Sequence, residues 1–153
     1  MLRIIINMNN MNNMNNMNNI FFGQQQLSPS HVTIGSEFCK VYYSKMKNCV
    51  NDIHDLFDPN VICSVEGNEL CGSYNLLMWF INQHIHHFEY KDVSGVSMPQ
   101  NRTEILVVVN GMFRAIGFWG QESSWTRFNE VFVLENIGNN KYVVKKYIVR
   151  TIL

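Results

Sequence analysis

The sequence is short of charge. Only 16% of its 153 residues are charged, and 12 Lys and Arg balance 12 Asp and Glu. A nucleic-acid binder normally carries a basic patch or stripe. The nearest approach here is Lys145, Lys146 and Arg150, set beside apolar residues on a predicted strand, so direct nucleic-acid binding is not expected. Long apolar runs are missing as well. No stretch reaches the ~20 apolar residues that span a bilayer. The isoleucines Ile4 to Ile6 behind Arg3 fall short of the ~7–15 residues of a signal-peptide core. The four cysteines, Cys39, Cys49, Cys63 and Cys71, form no C-x-x-C pair. They read as reduced packing thiols of an intracellular protein, and no metal or cofactor is expected. Proline occurs three times, at Pro29, Pro59 and Pro99, each at a predicted boundary.

What is present divides at about residue 30. Met-Asn-Asn repeats four times from Met8 to Asn19, followed by Gln24 to Gln26 and Ser28-Pro29-Ser30. Such a tract buries too little apolar surface to offset backbone entropy, so residues 1–30 are expected to form a disordered tail. Residues 31–153 are long enough to bury a core. Ile34, Phe38, Val41, Tyr42 and Met46 recur at helical spacing and predict a helix over Ile34 to Lys47. Asn51 to Phe57 predicts a short second helix, stopped at Asp58-Pro59. Val61 to Val65 and Glu69 to Cys71 bracket Glu66-Gly67-Asn68, a hairpin signal. Ser73 is placed to cap a third helix through Leu76, Leu77, Phe80 and Ile81, apolar nearly all round and therefore expected to be deeply enclosed. Strands follow over Glu89 to Met98, Thr103 to Phe113, Trp125 to Glu135 and Lys141 to Leu153. In the third of these, Phe128, Glu130, Phe132 and Leu134 alternate with Asn129, Val131, Val133 and Glu135. The plan is α+β: three helices wrapped by a curved antiparallel sheet, a cone.

The strings HVTIGSEFCKVYYSKM, VICSVEGNELCG and TRFNEVFVLENIGNNKYVVKKYIVR, in that order, resemble the first helix, the hairpin and the closing strand pair of nuclear transport factor 2-like domains. The resemblance covers residues 31–153. This fold hosts carriers, scaffolds and enzymes, so function has to be argued from the site. The groove residues are similar to those of the amino-terminal domain of the Ras-GAP SH3-domain-binding (Rasputin) stress-granule proteins. That likeness implies a non-enzymatic homodimer that takes short Phe-containing motifs, such as Phe-Gly-Asp-Phe, between Ile34 and Phe38, His54 and Leu56, and Arg127 and Phe128. An aromatic slot would anchor phenylalanine, and a nearby cation would favour an acidic neighbour.

The alternative branch is a nucleocytoplasmic carrier of Phe-Gly nucleoporin repeats and Ran-GDP. Glu66 matches a Ran-contacting glutamate of that branch. However, His31 stands where the carriers have tryptophan, and the loop from Phe113 to Trp119 is apolar apart from Arg114. In a third reading, Glu130 points into the cone as a catalytic base, although its inward neighbours on the strand are apolar. The resemblance also assigns Asn129, Val131 and Val133 to a dimer interface. Phe118 and Trp119, at a predicted hairpin tip, are candidates for partner contact. His84, His86 and His87 lack a Cys or acidic residue at ligand spacing and read as a loop rather than a metal site. The cytoplasm is the expected location, with the nuclear envelope or nucleus as the alternative.

Overall fold

The computed structural model describes residues 30–152. The expectation of a disordered tail therefore concerns residues outside the described span, Ser30 apart. Helix α1 (His31–Asn48) starts at Ser30, whose side chain accepts the Thr33 amide at 3.2 Å, satisfying one of the first-turn donors that a helix leaves free. Lys45 and Lys47 occupy its last turn, where the helix dipole favours cations. The stripe Ile34, Phe38, Tyr42 and Met46 is buried. A 3₁₀ helix (Val50–Leu56) follows, then strands β1 (Phe57–Val65) and β2 (Asn68–Cys71). The turn between them uses Glu66 and Gly67 at φ 49° and 87°. Two positive φ values in a two-residue loop match the twist of the strands they join.

Helix α2 (Ser73–Asn82) begins after Gly72, with Ser73 as its first residue rather than its cap. Its deep enclosure does not materialise. Leu76 and Phe80 are buried, but Leu77, Met78 and Trp79 are half-exposed and Tyr74 is exposed. The ten-residue helix packs on the 3₁₀ helix, β1, β2 and β3, which leaves its other flank uncovered.

Strands β3 (Ile85–Pro99), β4 (Glu104–Gly117), β5 (Thr126–Asn136) and β6 (Tyr142–Ile152) complete one six-stranded sheet in the order β2-β1-β6-β5-β4-β3. The sheet is mixed, not antiparallel throughout, because β1 runs parallel to β6. The chain reaches β6 from β1 by way of α2 and four other strands, a connection long enough for a parallel pair. A bulge between Lys91 and Ser94, with Asp92 at φ 54°, bends β3. The inner face of the sheet and the buried stripe of α1 share one core with the 3₁₀ helix and α2. The result is the expected α+β cone: three helices held by a curved, unclosed sheet.

Candidate functional site

Residues one position on from the buried stripe of α1 line an open groove. Gly35, Cys39 and Tyr43 face β3, and Val32, Ser36 and Lys40 border them. The opposite wall is the outer half of β3, Val93 to Ser97, with Val107 and Val109 of β4 behind it. The groove encloses about 540 Å³. Gly35 is required where the walls meet, since a Cβ there would lie 1.9 Å from Ser97 Oγ. The groove continues along α1 past Ser44 and Lys47, opposite Tyr90, Lys91 and Asp92. One end is therefore mainly apolar, and the other carries Lys47 and Lys91 against Asp92, with Lys40, paired to Glu37 at 2.6 Å, bordering both. Lys91 also stacks over the Trp125 ring, 4.3 Å from its centroid. Cys39, half-buried in this wall, has its thiol pushed up to about 11, first by burial and then by the Glu130 carboxylate.

The six residues assigned to a peptide slot by resemblance sit elsewhere. Ile34, Phe38, Leu56 and Phe128 are each under 5% exposed and belong to the common core. The structure brings these four together in one cluster, but as packing. Phe38 meets Phe132 edge-on at 5.0 Å, and Phe128 lies over Gly111, where a Cβ would be 2.9 Å from its ring. His54 and Arg127 are exposed. The His54 ring turns back on its own helix, with Nδ1 3.2 Å from the Asn51 carbonyl oxygen. The reason is the 3.6-residue period. Ile34 and Phe38 share the core face with Tyr42, so the groove falls to the next stripe.

Inside the cone lies a feature that strand alternation alone did not disclose. Glu130 of β5 is the one buried charged residue among those described, 3% exposed. Its Oε1 accepts from Tyr42 at 2.9 Å and Tyr147 at 2.6 Å, and its Oε2 accepts from Tyr43. Burial drives the Glu130 carboxyl above its ordinary range, while the Tyr147, Tyr43 and Tyr42 hydroxyls pull the other way. Burial, with the nearby carboxylate next, likewise raises Tyr42, Tyr90 and Tyr147. A cavity of about 100 Å³ reaches Glu130 and Tyr147, walled by Trp79, Phe80, Phe88, Tyr90, Phe113 and Phe128 among others.

The remaining candidates are placed as follows. Glu66 is engaged, its carboxylate accepting the Thr151 amide at 2.7 Å and the Thr151 hydroxyl at 2.9 Å. Phe118 and Trp119 stand at the β4–β5 tip, 45% and 78% exposed. Trp119 lies beside His84 and Phe118 beside His86. The His86 and His87 Nδ1 atoms are 2.9 Å apart. Among the described residues, no group of three or more metal-ligating side chains occurs. Asn129, Val131 and Val133 lie on the outer sheet face in cross-strand rows. One row runs Met98, Leu106, Val133, Lys146, Ile62, and the next runs Val96, Val108, Val131, Ile148, Ser64. A third holds Ser94, Asn110, Asn129 and Arg150, with Asn129 donating to Asn110 at 2.7 Å. Among the described residues, no helix covers that aliphatic band.

The sequence profile of the nuclear transport factor 2 (NTF2) domain matches residues 34–151. The chain belongs to that domain family. Its fold is similar to that of nuclear transport factor 2 from Cryptosporidium parvum, with 24% identity, a TM-score of 0.63, and coverage of 82% of this chain and 98% of that one. It is also similar to the yeast UBP3-associated protein BRE5, with 14% identity, a TM-score of 0.58, and coverage of 78% and 94%. A candidate scytalone dehydratase from Novosphingobium aromaticivorans DSM 12444 shares the fold at 13% identity and TM-score 0.61, covering 77% and 81%. The fold thus accommodates proteins described as enzymes and proteins that are not. No curated protein sequence matches the chain significantly. Among the described residues, no helix is long and apolar enough to cross a membrane.

Proposed function

We propose that this chain is a homodimeric, non-enzymatic interaction module that captures short Phe-containing peptides in the groove along α1. The groove itself carries the reading. It is open, about 540 Å³ at its apolar end, and continues into a stretch with an excess of lysine. An extended peptide with an aromatic anchor and an acidic residue is complementary to both ends. Resemblance to the stress-granule scaffolds suggests the same ligand class, although the residues that line this groove are Val32, Cys39, Lys40 and Val93 rather than the core positions named from that likeness. The aliphatic rows through Val131 and Val133, exposed at Val96, Met98, Ile62 and Ile148, support a second copy as the partner of the outer face.

The interior supports the enzyme reading less well. Its cavity of about 100 Å³ is below the ~300–1,000 Å³ of ligand sites. Both Glu130 oxygens already accept phenol hydrogen bonds, so the carboxylate has its partners without a substrate. Ran pairing is likewise less favoured, because Glu66 is tied to Thr151 and Glu122 to Arg114. An intracellular location fits the four free thiols.

The test is fluorescence polarisation of a labelled Phe-Gly-Asp-Phe peptide against the full chain. Micromolar binding is expected. Val93→Asp should weaken it about tenfold, the equivalent of ~1.4 kcal/mol, and so should asparagine in place of the peptide's aspartate. A folded dimer that ignores the peptide would overturn the proposal. Equal affinity for Phe-Gly repeats lacking acidic residues would move the assignment to the carrier class.

A further inference from the structure

The β3 wall of the groove is made of consecutive residues, Val93 to Ser97. Side chains alternate between the two faces of a strand, so one face alone would supply only every second residue. Here both sets take part. Gly95 and Ser97 stand opposite Val109 and Val107 on the inner face, while Ser94 and Val96 belong to the outer rows. A groove bordered by both sets meets the strand along its edge, where the main chain lies. That edge is free, since β3 ends the sheet and pairs only with β4. The ladder with β4 runs unbroken from Ser94 to Pro99, beyond the bulge at Asp92. Among the described residues, it supplies the only hydrogen bonds to the main chain of Val93 to Ser97. In an antiparallel pair, a residue that exchanges both bonds with its partner is followed by one whose N–H and C=O point away. Every second residue from Ser94 to Ser97 thus presents an unused donor and acceptor to the groove. A row of such groups at strand spacing is complementary to the main chain of another extended segment.

We infer that the captured peptide binds as an added strand on the edge of β3, its main chain hydrogen-bonded to alternate residues of Ser94 to Ser97. The inference deepens the peptide-capture reading and rests on it. Four residues of extended chain cover about 14 Å, so this edge matches a four-residue motif. The side chains of the added strand alternate as those of β3 do. One set turns inward, toward Cys39, Tyr43, Val107 and Val109, and supplies the aromatic anchor. The other set turns to the outer side. The regular edge stops at the bulge, where the groove passes on to Lys47, and an acidic residue at that end of the ligand meets the cation. Affinity then comes from the main chain and selectivity from alternate side chains, so many sequences sharing the anchor can be accepted.

The test uses the full chain and labelled peptides containing Phe-Gly-Asp-Phe, each N-methylated at one of the four amides. Methylation removes a donor and leaves every side chain in place. Methyl groups at positions of one parity should weaken binding roughly tenfold, and those at the other parity should change it by less than about twofold. Residue-resolved amide exchange by NMR reads the protein's side of the same bonds. Alternate amides of Ser94 to Ser97 should exchange rapidly in the free chain and slow when peptide is added. Losses that are equal at all four positions, or absent at all four, would overturn strand addition and leave peptide capture standing. Protection of every one of these amides in the free chain would overturn it as well, because the edge would already be paired. A folded chain that binds none of the peptides would remove the capture reading, and strand addition with it.

Discussion

Replacing Glu130 by glutamine should stabilise the protein as the pH rises above about 4.5. The carboxyl lies 3% exposed among three tyrosines. Burial raises it above its ordinary value of 4.5, and the phenol hydrogen bonds offset that only in part. Below 4.5 the group is protonated in both the folded and the unfolded chain and contributes no pH dependence. Above 4.5 the unfolded chain loses the proton while the folded chain keeps it. Folding then takes up a proton, so stability falls as pH rises until the folded carboxyl also ionises. Each pH unit of that window costs about 1.4 kcal/mol. Glutamine is close in shape and does not titrate, so the other carboxylates largely cancel when the two chains are compared. The assay is urea unfolding of both chains between about pH 4 and about pH 8. The stability of the wild type minus that of Glu130→Gln should be flat at the acid end, fall above about 4.5 and then level off. A difference that rises through this range would mean that the tyrosines hold the carboxylate charged, and the reasoning from burial would be refuted.

Two further changes separate packing from interface. Phe38→Ala should cost about 3–5 kcal/mol in chemical unfolding, as for an aromatic removed from a close-packed core; a cost under about 1 kcal/mol would return Phe38 to the surface slot that resemblance suggested. Val131→Glu places a charge in the middle of the uncovered aliphatic rows and should give monomers by analytical ultracentrifugation, with circular dichroism unchanged. Dimers that survive it would place the interface elsewhere.

The parts of this structure that could be read from the sequence are those set by local rules. The α1 core stripe follows from a 3.6-residue period, the Glu66-Gly67 hairpin from turn chemistry, and the inward position of Phe128, Glu130, Phe132 and Leu134 from strand alternation. All are observed. Features that depend on distant segments were not legible. The parallel pairing of β1 with β6 joins residues 87 positions apart at Phe57 and Val144. The tyrosines around Glu130 come from α1 and β6, with Tyr42 separated from it by 88 positions. Each looks like an ordinary core aromatic until the sheet curls. Tyr42-Tyr43 opposite a lone inward acid was the available signal, because a buried carboxylate needs donors. The groove was hidden for another reason. Gly35 and Cys39 are small, and they become a wall only because β3 bends at Asp92 and passes against the helix.

The two surfaces left uncovered are compatible with each other, and strand alternation makes them so. On β3, Gly95 and Ser97 face α1 and the groove, while Val96, which also borders the groove, lies with Met98 in the outer rows. On β4, Val107 and Val109 stand behind the groove, while Leu106 and Val108 face outward. A second copy seated on the outer face therefore meets the groove only at its rim, at Ser94 and Val96. On the proposed reading the dimer presents two free grooves, and a partner carrying two Phe-containing motifs gains from both. Joining the second motif to the first raises its local concentration to about 1 mM when the linker matches the span. A tandem peptide should thus bind the wild-type dimer far more tightly than a single motif does. With Val131→Glu that advantage should vanish while single-motif affinity stays the same, because the variant removes the second groove and leaves the first intact. A tandem advantage that persisted in a monomeric variant would show that both motifs fit on one chain, and the division of labour between the two sheet faces would be wrong.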